Sequence, residues 1–204
     1  MKTTEERAMI GRAMAVCVAG WMVAAGAFAQ DVPANVSSVC QSCHGPGGNS
    51  ATGDIPRLNG QQADYIVARL KDFRYPGSQD PHATAAMWGV VEATDNASFE
   101  AIARYYAAQT PSAPASPGPR AAGGKSLFLR GDVAAHIPAC GICHGAQGEG
   151  SGAIPRLAGQ HGAYLTHQLE RLRLDLRSSD TMHPRLMNIT DAQIAALVAW
   201  LARD

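Results

Sequence analysis

Apolar residues recur at helical spacing in two matched pairs of stretches along the chain. Between Gln62 and Phe73, the residues Tyr65, Ile66, Arg69, Leu70 and Phe73 fall three and four apart; between Gly159 and Leu174, so do Tyr164, Leu165, Gln168, Leu169 and Leu172. Each stretch predicts an amphipathic helix. A second pair follows, with Asp95 as N-cap ahead of Phe99, Ile102 and Tyr106, and Thr190 ahead of Ile194, Leu197, Val198 and Leu201. Ser126 to Leu129 predicts a further short helix that crosses the closing one, and Trp200 reads as core. No stretch alternates convincingly as a strand does, so the fold class is all-α.

The pairing of these helices is part of a longer repeat. Cys40-Gln41-Ser42-Cys43-His44 returns one hundred residues on as Cys140-Gly141-Ile142-Cys143-His144, and each run is followed by glycine, Gly45 and Gly145. Ile55-Pro56-Arg57-Leu58-Asn59-Gly60-Gln61 then returns as Ile154-Pro155-Arg156-Leu157-Ala158-Gly159-Gln160. A self-similar chain of this kind is built from like units. A Pro/Ser/Ala stretch, 110 to 119, cannot continue a helix and reads as a semi-extended linker. The expected organisation is a first domain over 30–110, a linker over 111–122 and a second domain over 123–204. Residues 1–29 read as a signal peptide: Lys2, Arg7 and Arg12 precede an apolar run that ends in Ala27-Phe28-Ala29. The competing reading is an uncleaved anchor, disfavoured by the shortness of the run and by its cleavage site. Export places the mature chain in the periplasm.

The chain has five cysteines, and Cys17 lies in the signal segment. The other four are Cys40, Cys43, Cys140 and Cys143, which leaves none for a structural disulfide. Cys-x-x-Cys-His is the run that attaches haem c covalently. On a helix the cysteines at i and i+3 project from one side with the histidine at i+4 beside them, so two thioethers can hold a porphyrin edge while the imidazole reaches iron. Zinc or dithiol chemistry shares the cysteine spacing alone. The histidine in both copies and the duplicated surroundings favour two haems, with His44 and His144 as metal ligands.

A methionine opposite each histidine would give the His/Met pair of high-potential electron-transfer haems. Counting back eight residues from each predicted cap gives Met87 and Met182, both expected in loops. Two rivals stay open. Met187 aligns with Met87 if the register is taken from the cysteines, and His82 aligns with Met182 if the insertion falls later. Arg57 and Arg156 could donate to haem propionates or lie solvated on turns. Tyr65 and Tyr164 could do the same or simply pack the pocket. His136, His161, His167 and His183 have no repeat partner and read as surface or hydrogen-bonding residues.

Formal net charge is zero and only 17% of residues are charged, which removes nucleic acid as an expected partner. The charge is uneven. Residues 30–110 hold eight acids and five bases, residues 121–204 seven acids and eight bases. Different partners are therefore expected at the two halves, with Asp64, Asp72 and Asp80 contributing to docking at the first.

The order Cys-x-x-Cys-His-Gly, Pro-Arg-Leu-x-Gly-Gln, Tyr, a methionine and a capped final helix, twice over, resembles the cytochrome c4 family of dihaem class I cytochromes c. Lys125 to Gly131 ahead of Ile137-Pro138-Ala139-Cys140 resembles that family's entry to its second domain. Asn59, where the family usually has Ala, is a departure. The resemblance implies two tandem cytochrome c domains with His/Met haems, and electron shuttling between membrane respiratory complexes and a terminal oxidase or periplasmic reductase. A monomer is expected, with peripheral membrane association left open. The alternatives are a dihaem enzyme of peroxidase or thiosulfate-oxidising type, or an electron-transfer subunit bound to a dehydrogenase or oxidase.

Overall fold

The computed structural model describes residues 33–75, 80–114, 118–177 and 179–202. The signal segment expected over 1–29, with Cys17, lies outside the described residues. In chain order the helices are α1 (Gln41–His44), α2 (Ala63–Phe73), α3 (Pro81–Val91), α4 (Asn96–Ala107), α5 (Ala121–Arg130), α6 (Gly141–His144), α7 (Gly162–Arg173), α8 (His183–Leu186) and α9 (Asp191–Leu201). A π-type turn, Val36–Cys40, leads into α1. Among the described residues there is no strand, only two isolated bridges, Asp132 with Ile137 and Ser151 with Ile154.

The expected caps are in place. Asp95 accepts from the Ser98 amide at the start of α4. Thr190 and Gln193 form a reciprocal capping box at the start of α9. Two apolar clusters result, one per repeat: Ile66, Leu70, Phe99, Ile102 and Tyr106 in the first, Phe128, Leu165, Ile194, Leu197 and Leu201 in the second. Trp200 joins the second, its ring 4.6 Å from that of Phe128.

Three boundaries differ from expectation. The helix predicted from Gly159 begins at Gly162, because Gly159 is held at φ +80° against the Ser112 carbonyl. The short helix at Ser126–Leu129 is ten residues long and begins inside the stretch assigned to the linker. It crosses α9 closely enough that a Cβ on Gly124 would stand 1.9 Å from the Ala196 carbonyl oxygen. The segment around Met87 is the helix α3 rather than a loop. Asp80 caps it through the Ala83 amide, and Pro81 occupies its first turn, where a missing N–H costs nothing.

Candidate haem sites

Both Cys-x-x-Cys-His runs form one short helical turn ending on a glycine at positive φ, Gly45 at +75° and Gly145 at +79°. A side chain would not fit there: a Cβ on Gly45 would lie 2.7 Å from the Asn49 carbonyl oxygen. None of these four cysteines is paired in a disulfide; Cys40 and Cys140 turn toward the two cores, and Cys43 and Cys143 are exposed. Burial pushes the Cys40 and Cys140 thiols upward, and each backbone opposes this in part.

The two histidines are held alike. His44 Nδ1 lies 2.9 Å from the Pro56 carbonyl and His144 Nδ1 lies 3.0 Å from that of Pro155. A carbonyl only accepts, so Nδ1 carries the proton and Nε2 keeps the lone pair. Burial pushes both imidazoles below the ordinary histidine range against the opposing effect of the carbonyl. Each is thus a neutral imidazole, fixed in orientation, with the metal-binding nitrogen unprotonated. Paired thiols on one side of a turn, a lone pair beside them and an adjoining apolar cluster fit covalent haem c.

Met87 packs against the first core and Met182 against the second. Met187 is 55% exposed, and His82 is exposed on the first turn of α3. Tyr65 and Tyr164 meet between the halves, where Tyr65 Oη accepts from Arg177 Nη2 at 3.3 Å. Burial, with Tyr65 beside it, pushes the Tyr164 phenol upward. Arg57 Nη1 donates to the Gly159 carbonyl at 3.0 Å, and Arg156 Nε to that of Ala158 at 3.2 Å. These two arginines and the motif glutamines Gln61 and Gln160 line one small cavity between the repeats.

One expectation is corrected. Asp80 cannot belong to an acidic docking surface, because it is only 2% exposed. Its carboxylate receives Arg69 Nη2 at 3.2 Å and, from the second half, Arg171 Nη2 at 3.0 Å, with Arg177 Nε at 3.7 Å. Asp72 is turned inward to Arg69 as well, while Asp64 remains exposed. His161, read as a surface or hydrogen-bonding residue, is buried and holds the Ser50 carbonyl of the first half at 3.0 Å. Asn59 ties the linker down, donating to Thr110 O at 2.8 Å and Ser112 Oγ at 3.1 Å. The contacts between the halves had a sequence signal at the repeated Arg, Tyr and Gln positions, Arg57, Tyr65, Gln61 and Gln160 among them, and none at Asp80, Arg171 or Arg177.

Two attachment turns on two helical cores define a dihaem c-type cytochrome. The family model described as cytochrome c matches residues 121–203. Cytochrome c4 of Thiocapsa roseopersicina is 35% identical over 175 residues, 82% of this chain and 88% of that one. A thiosulfate dehydrogenase electron acceptor of Thiomonas intermedia (strain K12) is 38% identical over 172 residues, 80% of this chain and 77% of that one. The solved cytochrome c4 of Acidithiobacillus ferrooxidans superposes with a TM-score of 0.76 at 37% identity, over 81% of this chain and 98% of that one. The chain belongs to the cytochrome c4 family: it carries covalently bound haem c in two tandem class I domains and acts as an electron carrier.

Proposed function

We propose that the chain works in the periplasm as a diffusible carrier between a donor enzyme and a terminal oxidase or reductase, without transforming a bound substrate. The observation that carries this reading is the pair of histidines, each with Nδ1 held by a proline carbonyl and Nε2 left for iron. Cys40 and Cys43 hold one haem and Cys140 and Cys143 the other. His44 with Met87, and His144 with Met182, would ligate the two irons, supported by the inward packing of both methionines and the exposure of His82 and Met187. When bound, haem would supply a one-electron ferrous/ferric couple, and with both residues of each pair on the iron it would offer no position to a substrate. Arg57, Arg156, Tyr65 and Tyr164 line the region between the halves, where propionates would meet guanidinium and phenol donors.

A pyridine haemochrome count with optical and low-temperature EPR spectra tests this reading. Two low-spin haems with the His/Met signature are expected, and Met182→Leu and Met87→Leu should each abolish it at one haem. Met187→Leu and His82→Ala should leave the spectra unchanged. A high-spin or bis-histidine component in the unaltered protein would refute the ligand set. The likeness to a thiosulfate dehydrogenase electron acceptor supports a donor of that class. Stopped-flow reduction by such an enzyme, compared with reduction by a quinol-oxidising complex, decides which donor is used.

A further inference from the structure

The peptide group joining Pro56 to Arg57 is engaged at both ends. Its oxygen accepts from His44 Nδ1 at 2.9 Å, and its N–H donates to Gln160 Oε1 at 2.8 Å. The Pro155–Arg156 peptide repeats this with the halves exchanged: its oxygen faces His144 Nδ1 at 3.0 Å and its N–H donates to Gln61 Oε1 at 2.7 Å. Both glutamine side chains are buried, Gln61 at 7% and Gln160 at 6% exposed. Each is fixed further by Nε2, which donates at 3.0 Å to the carbonyl of the same arginine in the opposite half. Each Oε1 also takes the next amide of its own chain, Gln62 at 2.9 Å and His161 at 3.0 Å. Each attachment-turn histidine is therefore joined, through a single peptide group, to a glutamine of the other half.

We propose that Gln160 and Gln61 are positioning residues that tune the iron of the opposite half, Gln160 acting on the haem at Cys40 and Cys43 and Gln61 on the haem at Cys140 and Cys143. The inference rests on His44 and His144 being iron ligands. A peptide N–H drawn toward an acceptor places more negative charge on its own carbonyl oxygen, because hydrogen bonds in a chain polarise one another. That oxygen then pulls harder on the Nδ1 proton, and the imidazole becomes the more basic ligand. A more basic ligand favours ferric over ferrous iron and lowers the potential. The halves thus set one another's potentials through four part-buried hydrogen bonds, two at each histidine relay.

Potentiometric titration of the holo-protein tests this, with the two haems told apart by their paramagnetically shifted methyl resonances. Gln160→Leu is expected to raise the potential of the N-terminal haem and Gln61→Leu that of the C-terminal haem, each shift being larger than that at the other haem. A rise at the haem of the substituted half, equal shifts at both, or no shift would overturn the proposal. Should the leucine variants not fold, Gln160→Glu keeps an acceptor oxygen in place. It is expected to hold the N-terminal haem at or below its unaltered potential, and a rise there would count against the relay. If neither histidine binds iron, the unaltered protein lacks the His/Met spectrum and both readings fall. If only the relay fails, the spectrum is intact and the crossed pattern is missing.

Discussion

The two halves hold their attachment-turn histidines by the same bond yet return to their closing helices by different routes. In the first, Asp80 is buried, caps the eleven-residue α3 that carries Met87, and is gripped by Arg69 together with Arg171 and Arg177 of the second half. In the second, Asp180 is exposed, and Met182 precedes the four-residue α8. The repeated parts are those that carry the Cys-x-x-Cys-His turns and exchange glutamines; the divergent part is the one that carries Met87 in the first half and Met182 in the second. A buried carboxylate among three guanidinium groups ties the first half's methionine helix to the second half, and Asp180 makes no equivalent buried bridge.

The largest effect should come from breaking that bridge. Asp80→Asn leaves guanidinium charge buried without its counter-ion, a change that typically costs about 3–5 kcal/mol. Asp180→Asn should stay within about 0.5 kcal/mol as a surface substitution. Chemical denaturation of both variants checks this, and equal losses would abolish the distinction between the two routes. Next comes the helix crossing of the second half. Gly124→Ala should cost roughly 1–3 kcal/mol by overpacking against the Ala196 carbonyl. Gly123→Ala, with open space around it, should stabilise by up to about 1 kcal/mol through helix propensity. A pair of thermal melts separates them.

A smaller effect distinguishes the two closing helices. Thr190→Ala removes the capping box of α9 and should cost about 1 kcal/mol. The corresponding cap of α4 is a carboxylate, so it responds to acid. Hydrogen bonds from the Ser98 amide and side chain hold Asp95 below its ordinary value of 3.8. A group whose folded value is depressed stabilises above its unfolded value and loses that contribution as pH falls through the folded one. The start of α4 should therefore loosen below about pH 3.8 while the hydroxyl cap of α9 does not. Amide exchange at Ser98 and Gln193, followed from pH 6 down to pH 3, reads the difference directly.

Features carried by near neighbours were for the most part legible in the chain itself. The two Cys-x-x-Cys-His turns, the caps at Asp95 and Thr190, the helices α2 and α7, the latter predicted three residues too early at Gly159, and the twofold plan rest on spacings of a few residues or on direct repetition. Asp80 read as a surface acid because nothing within a few positions of it shows that two arginines about ninety residues away turn toward it. The Met87 segment read as a loop because Ala85, Ala86, Met87, Trp88, Val90 and Val91 run together without marking one helical face, although Asp80 ahead of Pro81 is a local helix start. Gln61 and Gln160 stood in the repeat with no role, since a glutamine looks the same whether it faces water or a peptide 95 or 103 residues distant. Only the tertiary structure decided those pairings, because long-range hydrogen bonds and buried charges are chosen by which surfaces meet, whereas turns and caps are chosen by the chain's own neighbouring backbone.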